Sequence, residues 1–198
     1  MINVISHQGG VKVENIVCSG SLNTSIDLLH LAEMCEYAVY GRNRYPAAYI
    51  KFDGHSVTVY RTGKYIMPGM RSLEDMETSF DKLLGILSPH IDISKAARPE
   101  IRNIVCSSNV GHDINLHDLY IRMISSNQDA VYEPESFPGL ILKTSDSTFN
   151  VFQSGKFLIL GCTDFNSVQK AESFFLDIIE EFESHRTSTS PLIARLPS

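Results

Sequence analysis

The sequence predicts an α+β fold built from two direct β-α-β-β-β-β-α repeats, with an antiparallel sheet and helices on one of its faces. Two observations predict it. The pentapeptide Asn-Ile-Val-Cys-Ser at residues 15–19 recurs at residues 103–107. After each copy the same patterns follow in the same order: a short helical period, four short strand-like runs and a longer helical period.

The two halves keep a common register. The offset between them is 88 residues at Ile26 and Ile114, and it becomes 92 residues where Ala38-Val39-Tyr40 recurs as Ala130-Val131-Tyr132. The offset of 92 then continues through the Gly-Lys pairs at residues 63–64 and 155–156. The change of four residues falls in the first helix and its exit loop, where insertions are tolerated.

Within the first repeat, Val- and Ile-rich residues 11–19 predict a strand, and residues 25–36 predict a short amphipathic helix with Ile26, Leu29, Leu31 and Met34 on or near its apolar face. Four strands are predicted at residues 37–41, 46–52, 55–61 and 64–68, followed by a helix at 71–87. Asp53-Gly54 and Thr62-Gly63 predict hairpin turns between strands. The second repeat predicts the same order and ends in a helix near residues 165–184.

These patterns divide the chain into repeat one, residues 11–95, and repeat two, residues 96–184, joined by a segment with Pro89 and Pro99. Residues 1–10 and the Ser/Thr/Pro-rich residues 185–198 are predicted to be flexible ends. The two repeats are expected to form one domain.

The composition excludes several classes of protein. No run of about 18 apolar residues is present, so no membrane span is predicted, and the first ten residues do not have the pattern of a signal peptide. The four cysteines are widely spaced and lack a CxxC motif, which argues against a disulfide framework and a zinc site. The net charge of −6 argues against nucleic-acid binding unless basic and acidic residues lie on different faces.

Two motifs identify a family. Residues 133–141, EPESFPGLI, are followed by residues 152–156, FQSGK, and repeat one has weaker copies at residues 44–48, RYPAA, and 60–64, YRTGK. Over residues 11–184 the chain resembles the TATA-box-binding protein family. The resemblance implies a ten-stranded curved saddle sheet with helices on its convex face. It also implies that the uncovered concave face sits on the minor groove of A/T-rich double-stranded DNA, a mode for which this family is itself a type example.

The resemblance assigns four aromatic residues as wedges between base steps: Phe137 and Phe152 in repeat two, and Tyr45 and Tyr60 in repeat one. A wedge has to be flat and apolar to replace base stacking. The tyrosines depart from the usual phenylalanine pair, and each hydroxyl needs water or a partner, which puts the strength of the repeat-one kink in question. The alternative is that all four are core aromatics.

The resemblance places Asn15 and Asn103 near the centre of the DNA-binding face, where an amide can donate to the minor-groove acceptors of A·T pairs. Strand alternation puts Val17 and Val105 on the same face, where their apolar surface packs on the groove floor. The alternative for each asparagine is a strand end closed by local hydrogen bonds. The same alternation predicts that Cys18 and Cys106 are small buried residues on the opposite face, beneath the helices.

The phosphate contacts implied by the resemblance are lysines at equivalent positions of the two repeats: Lys51, Lys64, Lys143 and Lys156. Arg42, Arg44 and Arg61 add positive charge in repeat one, whereas acidic residues concentrate on the two late helices, which answers the objection from net charge. Any one lysine could instead be an ordinary solvated charge. Leu160, on the DNA-binding face, and Pro68 stand where the family usually has threonine, and the late helix of repeat one is acidic where many eukaryotic members have a basic one.

The function implied is that of a general transcription initiation factor that binds and bends promoter DNA. It would recruit a transcription factor B-type protein through Glu133, Glu135 and Leu140, together with RNA polymerase and other regulatory factors. A eukaryotic member would act in the nucleus, which the Ser/Thr-rich tail favours, and an archaeal member in the cytoplasm. The sequence leaves open whether two copies form a homodimer in the absence of DNA.

The alternative function is a related protein-interaction scaffold with weakened or altered TATA binding, suggested by Tyr45, Tyr60 and Pro68. An enzyme is not expected: related folds occur as modules of DNA-repair glycosylases, but the sequence has no paired carboxylates, nucleophile–base pair or metal-ligand spacing shared with that chemistry. No cofactor and no metal are expected.

Overall fold

A computed structural model describes residues 10–41 and 46–188. The strands are β1 (Lys12–Ser21), β2 (Ala38–Val39), β3 (Ala47–Phe52), β4 (His55–Tyr60), β5 (Lys64–Met70), β6 (Glu100–Asn109), β7 (Asp129–Tyr132), β8 (Leu140–Lys143), β9 (Thr148–Val151) and β10 (Lys156–Cys162). The helices are α1 (Leu28–Met34), α2 (Leu73–Leu87), α3 (Leu116–Ser125) and α4 (Phe165–Ser188). The strand order in the sheet is β2-β3-β4-β5-β1-β6-β10-β9-β8-β7.

The predicted fold class is confirmed, because ten strands and four helices follow each other in the predicted order and the strand pairs are antiparallel. Helix α1 is shorter than predicted, since the side chain of Asp27 caps its first turn. Met34 was placed near the apolar face, but it is 59% exposed, because the buried side follows Leu28, Leu31 and Cys35. Helix α4 continues four residues beyond the predicted end at 184. Predictions for residues 1–9, 42–45 and 189–198 lie outside the described residues.

The chain divides into two compact units. The first unit comprises Val13–Cys106 and Gly161–Asp164, so it holds β1 to β5, α1, α2 and most of β6. The second unit contains Ser107–Leu160 and the residues from Phe165 onward, and therefore α3, α4, β7 to β9 and most of β10. These borders differ from those of the sequence repeats near the joint and at the end of β10.

Tight turns set the register of the outer strands. Asp53 and Gly54 take φ values of 45° and 80°, the left-handed conformations that a two-residue hairpin between β3 and β4 requires. The β4–β5 and β9–β10 turns each close with the N–H of a glycine donating to the carbonyl of an aromatic residue, Gly63 to Tyr60 at 2.9 Å and Gly155 to Phe152 at 3.0 Å. The two turns nearest the proposed wedges are therefore built alike.

Each unit buries one face of its strands against a long helix. In the first unit Tyr65 of β5 stacks on Phe80 of α2, with ring centroids 5.5 Å apart. In the second unit Phe175 of α4 packs on Phe149 and Phe157, with centroids 5.1 and 4.5 Å away. Aromatic side chains on the helices thus cover the same face that the strand alternation predicts to be apolar.

The repeated cysteines lie on this covered face, as predicted, and both Cys18 and Cys106 are fully buried. Burial, followed by the carboxylates of Glu77 and Asp75, raises the pKa of the Cys18 thiol to about 11. A thiol in that state is protonated near neutral pH and is a poor nucleophile. Cys18 is therefore a packing residue.

Candidate nucleic-acid interface

In the first unit the strand face away from the helices, here called the open face, has a mixed polar and apolar character. Strand alternation brings Asn15, Val17 and Ser19 of β1 to this face, because Ile16 and Cys18 between them are buried. On β3 and β5 the exposed positions alternate with buried ones in the same way and bring Lys51 and Lys64 to it. Tyr60 ends β4 opposite Ala47 and is half-buried.

The second unit presents an equivalent open face. Lys156 and Leu160 of β10 alternate with the buried Phe157 and Ile159, and Lys143 of β8 follows the buried Leu142. Leu160 is half-buried and pairs with Thr148 of β9, as predicted for a residue of this face. The predicted DNA contacts of each repeat therefore share one face of the strands that carry them.

Phe137 and Phe152 form an aromatic pair at the end of the second unit's open face. Their ring centroids are 5.8 Å apart, at an interplanar angle of 63°. Both rings are half-buried, in contrast to the fully buried Phe149 next to them in β9. The pair is thus accessible to a ligand, although each ring also rests on protein.

Two backbone features hold the Phe137 ring in place. Residues 133–137 form a helical turn in which the N–H of Phe137 donates to the carbonyl of Glu133 at 2.9 Å. Gly139 leaves room for the ring, because a Cβ there would lie 2.8 Å from Phe137 Cε1 and 3.0 Å from the Val151 carbonyl oxygen. The position of the Phe137 ring therefore depends on a small residue two places along the chain.

The paired asparagines make the same hydrogen bond. Asn15 Oδ1 accepts from the N–H of Gly69 at 2.9 Å, and Asn103 Oδ1 accepts from the N–H of Gly161 at 2.9 Å. The asparagines and both glycines belong to the first unit. Each amide is half-buried and faces away from the helices with Val17 or Val105 beside it. The local bond proposed as the alternative exists, but it uses only the oxygen of each amide and does not involve the NH₂ group.

The charge distribution agrees only in part with the prediction, because the acidic Asp129 of β7 stands opposite Lys143 of β8. The lysines of the open faces are all exposed, and within residues 10–41 and 46–188 none of them forms a salt bridge: Lys51, Lys64, Lys143 and Lys156. The acidic helices form salt bridges with other basic side chains, since Arg98 pairs with Glu77 and Asp81 of α2, and Arg122 pairs with Glu181 of α4. Positive charge on the open faces is therefore not neutralised by these helices.

Alternation also places residues on the open face that the family motifs do not include. Ile66 lies beside Thr58 in the first unit, and Leu158 lies beside Asn150 in the second, again at an offset of 92. Counting two residues from Lys64 and Lys156 would have found Ile66 and Leu158. They add apolar surface to the open faces.

Over the described part of the chain, no group of three or more His, Cys, Asp or Glu side chains is placed to hold a metal ion. None of the described helices is long and apolar enough to cross a membrane.

Comparison with known proteins shows the family. The family described as transcription factor TFIID, or TATA-binding protein, TBP, matches residues 10–90 and 98–182, once over each repeat. The chain belongs to the TBP family. This is a family of DNA-binding transcription factors and not a family of enzymes.

Individual TBP relatives cover most of the chain. A TATA-box-binding protein of Thermococcus celer is 29% identical over 178 residues, which span 87% of this chain and 92% of the relative. One of Methanothermococcus thermolithotrophicus is 30% identical over 178 residues, which span 87% and 96%. The solved structure of Methanococcus jannaschii TBP has a TM-score of 0.77 and 28% identity, and the match covers 87% of this chain and 99% of that chain.

One residue assigned from the TBP resemblance needs correction. Leu140 was predicted to contact a partner protein, but it is fully buried at the start of β8 and pairs with Val151 of β9. A partner cannot reach it without opening the core, so Leu140 is a core residue. Glu133 and Glu135 are exposed in the loop before β8 and remain available to a partner.

Among the wedges expected for a TBP family member, the structure describes three. Tyr45 and the neighbouring Arg42 and Arg44 lie outside the described residues. Tyr60 has the position in the first unit that Phe152 has in the second, immediately before a three-residue turn. The departure at Pro68 falls in β5, where the proline is exposed next to Gly69.

Proposed function

We propose that this chain binds A/T-rich DNA through the minor groove, bends it, and thereby forms the platform for transcription initiation. The observation that supports it most is the repeated amide on the central strands, Asn15 on β1 and Asn103 on β6, each with apolar valine beside it. A·T pairs offer only acceptors, A N3 and T O2, in the minor groove, and G·C pairs add the amino group of guanine. Amide donors flanked by apolar surface therefore suit the minor groove of A·T pairs.

Bending is proposed from the aromatic pair. Phe137 and Phe152 are accessible rings in contact with each other, and a rigid pair of this kind can enter a base step and replace lost stacking. Lys143 and Lys156, on the same face of the second unit, supply charge for the phosphates on either side of the opened step. Tyr60, Lys51 and Lys64 are the matching set in the first unit.

Binding to four synthetic duplexes tests the groove assignment. They carry a TATA sequence, the same site with inosine·cytosine in place of A·T, the site with G·C in place of A·T, and a scrambled sequence. Inosine lacks the guanine amino group, so its minor groove resembles that of A·T, whereas its major groove resembles that of G·C. We expect the inosine duplex to bind within a few-fold of TATA and the G·C duplex much more weakly. Inosine binding as weak as G·C would contradict minor-groove recognition.

Recruitment of a transcription factor B-type partner is proposed through the exposed carboxylates of Glu133 and Glu135, without Leu140. Reversing both charges, Glu133→Lys with Glu135→Lys, should abolish the ternary complex on bound DNA in a mobility-shift assay and leave binary DNA binding intact. A ternary complex of unchanged affinity would remove these residues from the partner surface. The alternative function, a scaffold without sequence preference, would show as equal affinity for all four duplexes.

The place of action stays a prediction. The named TBP relatives are archaeal proteins, and an archaeal chain would act in the cytoplasm. A eukaryotic chain would act in the nucleus.

A further inference from the structure

The two glycines that bond the central asparagines occupy an unusual backbone conformation. Gly69 and Gly161 have φ values of 89° and 96°, the left-handed region that side chains on other residues disfavour. In β5 this marks a bulge: Ile16 pairs with Met70 and Cys18 with Met67, so Val17 alone faces both Pro68 and Gly69. A bulge turns an N–H out of the regular ladder, and in β5 the N–H of Gly69 points to Asn15.

The hydrogen bond fixes which end of each amide faces outward. A backbone N–H can only donate, so the atom 2.9 Å from it is the amide oxygen and not the nitrogen. With the oxygen of Asn15 held by Gly69, and that of Asn103 by Gly161, the NH₂ groups are what remains for a ligand. A flipped amide would lose this bond and set its NH₂ group against another donor.

We propose that Gly69 and Gly161 are positioning residues for base discrimination, which they achieve by locking the Asn15 and Asn103 amides as outward donors. The inference rests on the proposed minor-groove function. β1 and β6 are neighbouring strands, both amides lie in the first unit, and the family resemblance places them near the centre of the DNA-binding face, so they address the central base pairs. An amide locked as a donor can donate to A N3 or T O2, but it opposes the guanine amino group with a second donor. A freely rotating amide could turn its oxygen to that group and tolerate G·C.

The bond itself is testable without DNA. In isotope-labelled protein, a through-hydrogen-bond scalar coupling should connect the amide nitrogen of Gly69 with Cγ of Asn15, and that of Gly161 with Cγ of Asn103. It should persist in Asn15→Asp, which keeps the acceptor. Absence of both couplings in the wild-type protein would overturn the proposal, whatever the protein does with DNA.

The role in discrimination is tested with Gly69→Ala and Gly161→Ala. The matched control is Gly54→Ala, because Gly54 also has a positive φ, of 80°, and like Gly69 has no atom within 4 Å of an added Cβ, yet it lies in the β3–β4 hairpin. Affinities are measured for two sets of duplexes. One set differs only at the central base pairs, which are A·T or G·C, and the other differs only at a flanking pair. Thermal unfolding of each variant reports the strain that the three substitutions share.

The wild type is expected to prefer A·T over G·C at the centre by about tenfold or more. Gly69→Ala and Gly161→Ala should bring this ratio toward one and leave the flanking ratio unchanged, whereas Gly54→Ala should change neither. A central ratio that stays at the wild-type value in both glycine variants would overturn the inference. A wild-type protein without any A·T preference would instead contradict the proposed function, and the coupling measurement would still decide whether the amides are locked.

Discussion

At the scale of single residues, the wedge assignment concerns Phe137 and Phe152. Phe137→Ala or Phe152→Ala should weaken binding to TATA DNA by about 1–3 kcal/mol, since each removes a ring that stacks on a base. Energy transfer between dyes at the duplex ends should report a smaller bend. The matched control is Phe174→Ala, because Phe174 is a 42% exposed ring on the helix α4. If the bend is unchanged in both wedge variants, the pair belongs to the core.

The tyrosines of repeat one lead to a separate prediction. A phenol inserted beside bases has to keep a hydrogen bond, at a cost of about 1–3 kcal/mol if it is left unpaired. The double variant Tyr45→Phe with Tyr60→Phe should therefore bind TATA DNA more tightly and bend it more, as measured by titration and energy transfer. Weaker binding by a folded double variant would show instead that the hydroxyls make contacts to phosphates or water.

Strand alternation shows which residues assigned from the motif lie on the open face, and whether they contact DNA stays a prediction. Lys156 and Leu160 are four residues apart in β10 and lie on the same open face, as counting by two predicts. The assignment of Leu140 as a partner contact was wrong, because Leu140 is three residues from Lys143 and must face the opposite side of β8. The family motif gives residue types at fixed spacing, but only the strand period tells which of them reaches a ligand.

At the scale of elements, the starts of α1 and α3 provide a matched pair. Asp27 accepts from the N–H groups of Leu29 and His30, and Asn115 accepts from those of His117 and Asp118. The His30 bond, with help from Leu29, lowers the pKa of the Asp27 carboxyl below its ordinary value. One repeat therefore has a cap that titrates, and the other has a cap that does not.

Urea unfolding between pH 7 and pH 3 distinguishes the two caps. Because the folded pKa of Asp27 is lowered, its contribution is present above the ordinary carboxyl value of about 3.9 and is lost as the pH falls through the folded pKa. The destabilisation by Asp27→Ala should thus shrink toward pH 3. Asn115→Ala should cost about 1 kcal/mol at both pH values. An Asp27→Ala effect that does not change with pH would contradict the charge assignment of this cap.

Among the elements, the number and order of strands and helices could be predicted, because each has its own apolar period and turn residues. The ends of α1 could not, since a cap depends on the direction of one side chain. The bulge in β5 was also missed. Gly69 was visible as a repeated glycine, but neither its positive φ nor its bond to Asn15 follows from the periodic pattern.

At the scale of the whole molecule, a net charge of −6 coexists with a proposed DNA-binding surface. Acidic residues of α2 and α4 form salt bridges with the arginine side chains of Arg98 and Arg122 and not with the lysines of the open faces. The net negative charge would repel DNA at long range, and salt screens this repulsion. Contacts between lysines and phosphates would attract DNA at short range, and salt weakens them. The sign of the salt dependence therefore reports which of these charges the DNA meets.

The central claim, that the open faces bind DNA phosphates around an A/T-rich minor groove, is tested most directly by the affinity for TATA DNA as a function of salt. Fluorescence anisotropy of a labelled duplex, titrated between about 50 and 200 mM salt, gives the slope of log K against log salt. With about four to eight phosphate contacts the slope should be roughly −4 to −7. A slope near zero, or affinity that rises with salt, would contradict the account.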